Sequence, residues 1–203
     1  METCIHQTET QDTLSKLAEE ISDLNENRSI KAEYLKAIHS KDHERLAYFA
    51  TFGKTPRHRI LNIDSYRHAL QFGFTEMIFN KSGWLANTPW TVKEEIAFPV
   101  DKEVNCYNHV DIACGLNGQW TYGVSYQCSC SGGCYAPNEF CKPYPSKESC
   151  IDAAINELKS RLQELIAGAT TKSNTTNHKI DYLKRVITSI DAKMASKQQL
   201  ALF

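Results

Sequence analysis

The chain has almost no net charge. Its 23 lysines and arginines stand against 24 aspartates and glutamates, leaving a formal charge of -1. No global field therefore draws it to nucleic acid or to an acidic membrane, and any such contact must come from a local patch. No apolar run approaches the length needed to span a bilayer, and Met1 to Gln11 lack the basic-then-apolar pattern of a secretory leader. The expectation is a cytosolic protein with no membrane partner. Also missing are a phosphate-cradling Gly-Lys-Ser/Thr loop, a dinucleotide fingerprint and a His-Glu-x-x-His pair. Eight cysteines and seven histidines can be combined on paper, yet no local signature selects a Cys-His nucleophile. The carboxylate pairs Glu19-Glu20 and Glu94-Glu95 read as surface pairs on helix or loop. Nothing in the text asks for catalysis, so a non-enzymatic protein is expected.

What is present suits a globular fold. At 203 residues, 41% of them hydrophobic, the chain is long enough for one domain with appendages or for two small ones. Leu14, Leu17, Ile21 and Leu24 recur at helical spacing behind a candidate cap at Asp12 or Thr13. From about Ser29 a second helix carries Ile30, Tyr34, Leu35 and Ile38, continues or restarts at His43 with Leu46 and Phe49, and meets a C-cap at Gly53. These amphipathic helices need a partner, whether each other, later helices or a second copy of the chain. The expected division is a helical region over 1–53, an α+β domain over 54–166, a polar linker over 167–178, a helix over 179–198 and a tail over 199–203.

The sheet signal lies between Val104 and Ile166. Val104, Cys106, Val110, Ile112 and Cys114 largely alternate with polar residues, and Asn117-Gly118 is a strong hairpin signal. Beyond it Trp120, Tyr122, Val124, Tyr126, Cys128 and Cys130 share one face, opposite small and polar residues. A Gly-rich loop is expected from Ser131. Ser146 then caps a helix with Ile151, Ala154, Ile155, Leu158, Leu162 and Leu165 in one stripe, suited to covering the strands. Ile180, Leu183, Ile187, Ile190 and Met194 form a last amphipathic helix that can pair with it. The fold class expected is α+β, a small antiparallel β-hairpin-α module flanked by amphipathic N- and C-terminal helices.

Two clusters offer binding chemistry. Cys128, Cys130, Cys134 and Cys141, with Cys106, Cys114, Cys150 and His109 nearby, are candidate zinc ligands around the Gly132-Gly133 loop. Their spacing is not that of a paired-ligand knuckle, and alternation puts Cys128 and Cys130 on the apolar face, so buried thiols with no cofactor are the favoured reading. Lys54, Arg57 and Arg59 lie around Pro56 and before an aromatic run, where they are candidate nucleic-acid contacts. A solvated loop entering a core is the favoured alternative, given the neutral charge. Trp84 and Trp90 mark a loop that either folds over the core or presents a contact.

The sequence closes on Gln199-Leu200-Ala201-Leu202-Phe203, two large apolar side chains behind a charged helix. This spelling resembles the short peptide by which bacterial DNA-transacting proteins dock on the replicative sliding clamp. The resemblance implies an extended peptide in an apolar cleft, with Leu202 and Phe203 as anchors, Leu200 in support and the Gln199 amide hydrogen-bonding at the rim. The alternative is that these side chains fold back on the chain's own core or fray. The central module, through Trp120, Tyr122 and Gly123, then Pro145 to Glu148 and Ala153-Ala154, is similar to small modules of phage and integrated-element proteins. A further likeness is to the partial ribonuclease-H-like β-β-α fold of antitoxins. Together these imply an interaction protein of a phage or mobile element in a bacterial cytoplasm, with the sliding clamp as partner. Two other classes stay open: an inhibitor of a host defence or nucleic-acid enzyme acting through the central module, and a zinc-stabilised nucleic-acid-binding module.

Overall fold

The computed structural model describes residues 11–86, 90–98, 107–128, 131–171 and 180–200. It is an α+β protein, with six α-helices and a four-stranded antiparallel sheet among the described residues. Two compact units share the chain: Met1–Leu70 with Thr75–Asn87, and Gln71–Phe74 with Thr88–Phe203. Among the described residues no helix is long and apolar enough to cross a membrane.

The first unit holds α1 (Gln11–Asp23), α2 (Arg28–Ser40), α3 (His43–Ala50) and α4 (Pro56–Ala69). Short polar side chains start three of them by taking up unpaired N-terminal amides. Asn27 Oδ1 accepts from the amides of Ser29 and Ile30, Asp42 from Arg45, and Thr55 from His58, with Pro56 opening α4. The apolar stripes expected for α1 to α3 do meet: Leu14, Ile21, Ile30, Tyr34, Ile38, Phe49 and Phe52 are buried together with Ile60 and Ile63 of α4. Tyr34 and Phe49 stack with ring centroids 4.1 Å apart. Glu33 ties the helices electrostatically, accepting from Arg67 at 2.8 and 2.7 Å and from Arg45 at 2.6 Å.

Three expectations shift in this unit. Helix α1 starts at Gln11, so Asp12 and Thr13 are helical residues and not its cap. Helix α3 ends at Ala50 and Gly53 follows it at φ 147°, where a side chain would bring a Cβ within 2.7 Å of His58 Cβ. The third concerns α4, which lies in the span assigned to the sheet domain but packs with α1 to α3. Its apolar stripe is interrupted by Asn62, which is itself 2% exposed. That side chain is the reason 75–87 belongs here: Asn62 Nδ2 donates to the carbonyls of Phe52 and Gly83, and its Oδ1 accepts from the Leu85 amide. Ile78 to Ala86 double back as a small hairpin over this anchor, through Asn80–Trp84 and Ala86–Ile78 backbone bonds.

In the second unit β1 (Val92–Ala97), β2 (His109–Cys114), β3 (Trp120–Cys128) and β4 (Ser131–Tyr135) lie in sequence order. The Asn117-Gly118 hairpin forms as expected, with Gly118 at φ 80°. Register places Val110 beside Val124 and Ile112 beside Tyr122. That face is covered by α5 (Lys147–Thr171), through Ala154, Ile155, Leu158 and Leu162, and by α6 (Ile180–Leu200), through Tyr182, Leu183, Val186 and Ile190. Each fully buried leucine or isoleucine here contributes roughly 1.5–3 kcal/mol relative to exposure. Ser146 caps α5 by accepting from the Ser149 amide.

Here too the sequence is corrected. Ser131 opens a strand, not a loop: Gly132 and Gly133 pair with Gln127 and Tyr126, and the Tyr126 ring occupies the space a Gly133 side chain would need. Glu94-Glu95 sit in a strand and not on a helix or loop, so alternation sends them to opposite faces. Helix α5 runs to Thr171, taking the first residues of the expected linker, while 172–179 lie outside the described residues. Gln199 and Leu200, expected in an extended tail, are the last residues of α6, because Ala, Lys, Gln and Leu favour helix. Ala201, Leu202 and Phe203 lie outside the described residues.

Candidate functional site

Strand alternation turns His109 and Asp111 of β2 away from α5, because Val110 between them is in the helix-covered core. Register then sets Glu95 of β1 directly opposite Asp111. The result is a cluster of one imidazole and two carboxylates whose candidate ligand atoms all lie within 4.8 Å of one another. His109 Nε2 is 3.4 Å from Asp111 Oδ2. Its Nδ1 is buried and has no hydrogen-bond partner, so the ring makes its polar contact on the carboxylate side alone. Tyr107 lies against the imidazole, with ring centroids 4.5 Å apart, and its hydroxyl donates to Glu95 Oε1. That hydrogen bond holds the Tyr107 hydroxyl above the usual tyrosine range, with smaller upward effects from burial and from the charges of Glu95 and Asp111. A cavity of about 470 Å³ opens beside the cluster, lined by Tyr107, His109, Ser125, Gln127, Gly132 and Cys134 among others.

The helix-covered face holds a second polar group. Glu157 Oε2 of α5 accepts from the hydroxyls of Tyr122 at 2.9 Å and Tyr135 at 3.0 Å. Burial first, then hydrogen bonding, pushes both phenols well above their ordinary value. They stay protonated donors that seat α5 on the sheet.

The residues singled out in the sequence fare unevenly. Cys134 is exposed on β4 opposite Ser125, while Cys141 is half-buried in the loop beyond. Burial is the main reason the Cys141 thiol is pushed up, and the Thr121 hydroxyl is one of its neighbours. Thr121 and Ser125 are four strand residues apart, roughly 13 Å, so Cys134 and Cys141 are not brought to one metal. Cys130 and the side chain of Cys128 lie outside the described residues. Of the basic trio, Arg57 is paired with Glu26 at 2.7 Å, and Arg59 is spent on the Gly53 carbonyl and the Tyr34 hydroxyl. Lys54 is exposed at the rim of a cleft of about 690 Å³, with His58, Arg59 and Lys81 in its wall. Trp84 packs its edge on His58, and Trp90 packs on Phe72 and Phe74, so both serve the fold.

No family model, curated protein or solved structure matches this chain.

The His109/Asp111/Glu95 cluster was not legible beforehand as a site, although His109-x-Asp111 on the polar side of a predicted strand was a usable signal. Glu95 was beyond reach of local reading, because only the pairing of β1 with β2 brings it there.

Proposed function

We propose that the protein docks on the bacterial sliding clamp through Gln199-Leu200-Ala201-Leu202-Phe203, as an interaction protein of a phage or mobile element. The observation that carries this reading is the five-residue peptide itself, whose glutamine, leucine and leucine-phenylalanine positions are all filled. Binding in an extended cleft requires Gln199 and Leu200 to leave the helix. That step costs little, since the final carbonyls of a helix have no intrahelical partner and terminal turns fray readily. Leu202 and Phe203 then act as apolar anchors, and anchors of this kind carry most of the energy of a small interface. Bound there, the protein either rides on replicating DNA or keeps host polymerases from the same cleft. Full-length protein is expected to displace a fluorescent clamp-binding peptide from the purified clamp, and a Leu202→Ala/Phe203→Ala variant is expected not to. Displacement by both alike would place binding elsewhere.

A second reading, nucleic-acid contact, has one observation in its favour. Among the described residues, the cleft that includes Lys54, His58, Arg59 and Lys81 is lined by no carboxylate, and such a groove suits a phosphate backbone. Binding to single-stranded DNA that weakens steeply with salt and is lost in Lys54→Glu/Lys81→Glu supports it; salt-insensitive or absent binding removes it.

A further inference from the structure

We propose that Glu95, His109 and Asp111 form a binding site for one divalent first-row transition-metal cation, on the face of the sheet turned away from α5. Four independent features of the site converge on a cation. First, Glu95 and Asp111 are directly opposed across β1 and β2. Like charges in that position destabilise a sheet, and among the described residues neither forms an ion pair with lysine or arginine; Asp111 has only His109. Second, the imidazole is largely buried, 14% exposed at its side chain, and it is Nε2 that faces the carboxylates. A polar ring held in a strand with its one polar contact facing two carboxylates is arranged as a ligand, not as a satisfied core histidine.

Third, the spacing fits. Around a tetrahedral ion with bonds of about 2.05 Å, neighbouring ligand atoms lie about 3.3 Å apart, and His109 Nε2 and Asp111 Oδ2 are 3.4 Å apart. The whole set spans up to 4.8 Å. Glu95 is exposed, so rotation of its side chain closes the remainder without disturbing the core. Fourth, Tyr107 already donates to Glu95 Oε1, the kind of outer hydrogen bond that fixes a ligating carboxylate.

The donor set, one nitrogen and two oxygens with no thiolate, selects the class. It suits Mn²⁺ or Zn²⁺, is too poor in oxygens for Ca²⁺ and too hard for Cu⁺. Three protein ligands leave at least one coordination position, and the neighbouring cavity lined by Ser125, Gln127 and Gly132 gives a water or a small anion access to it.

The test uses the full-length protein stripped of metal by a chelator and titrated with Mn²⁺, with free ion followed by its electron paramagnetic resonance signal. Mn²⁺ is the probe because thiolates compete poorly for it. One ion per chain is expected, displaced by Zn²⁺. Glu95→Gln and His109→Ala should each weaken binding by about tenfold or more, and Tyr107→Phe by a smaller factor; Cys134→Ser should leave it unchanged. Glu95 is exposed, so its variant keeps the test valid even if His109→Ala fails to fold. No saturable site, equal binding by Glu95→Gln, or loss confined to Cys134→Ser each overturns the proposal.

Discussion

Replacing Asn62 by leucine keeps the branching and number of side-chain heavy atoms and removes the anchor of the first unit. Three contacts disappear: Nδ2 to the Phe52 carbonyl at 2.7 Å, Nδ2 to the Gly83 carbonyl at 2.9 Å, and the Leu85 amide to Oδ1 at 2.9 Å. The Phe52 bond is buried, whereas those to Gly83 and Leu85 are partly reachable by water. A buried polar group left without a partner costs about 1–3 kcal/mol. The sum, with the two outer groups at the low end and a small gain from leucine burial, is about 3 kcal/mol. Because the chain has two compact units, one global transition is an unsafe readout, and native-state hydrogen exchange at named amides is the better assay. The Leu85 amide should exchange on the order of a hundredfold faster in Asn62→Leu, while amides of β2 and β3 change little. Exchange at Leu85 within about threefold of the parent would refute the claim that Asn62 holds the 78–86 hairpin to the helices.

Three other outcomes follow from the geometry. Glu33 is held down to about 2, first by its hydrogen bond to Arg67 and then by Arg45, against the upward pull of burial. A depressed carboxylate stabilises the fold above its ordinary value of 4.5 and loses that contribution as pH falls toward 2. With the three side chains between 33% and 43% exposed, solvent screening cuts the effect to about 1 kcal/mol. The stability gap between parent and Glu33→Gln, from urea titrations read at the helices of the first unit, should therefore be flat above about pH 5 and shrink below it; a gap independent of pH speaks against the Arg67–Glu33–Arg45 link. Gly123→Ala should cost about 2 kcal/mol or more in the second unit, because the new Cβ would stand 2.8 Å from the Ala136 backbone; chemical denaturation followed by the near-ultraviolet signal of the sheet's tyrosines measures it, and a neutral result refutes that packing. Cys150 is buried, and its thiol is pushed up to about 12 mainly by burial and then by the nearby Cys114. A thiol-alkylating reagent with peptide mapping should mark Cys134 before Cys114 and Cys150, which stay unreacted until denaturant is added; early labelling of Cys150 contradicts its placement.

Local patterns were readable where a single element carried them. The helical stripe Leu14, Leu17 and Ile21, the Asn117-Gly118 turn and the Ser146 cap each express one short-range preference, and each is found in the fold, although the helix ends at Asp23, before Leu24. Elements whose reason is tertiary were missed. Helix α4 hides behind a buried Asn62 that breaks its apolar face but satisfies a distant hairpin. Strand β4 hides behind glycines that disfavour strands alone yet make room for Tyr126. The Glu95–His109–Asp111 cluster depends on strand register, a pairing between segments with no sequence signature in common. The terminal peptide is the reverse case, since its reading rests on the motif alone.

The proposed docking through the terminal peptide is tested by calorimetric titration of a bacterial sliding clamp with the intact protein and with a variant lacking Gln199 to Phe203. Saturable binding is expected from the intact protein, with a loss of on the order of 30-fold or more in the truncated one, the effect of removing two anchor side chains. Equal affinity of the two, or no binding by either, would contradict it.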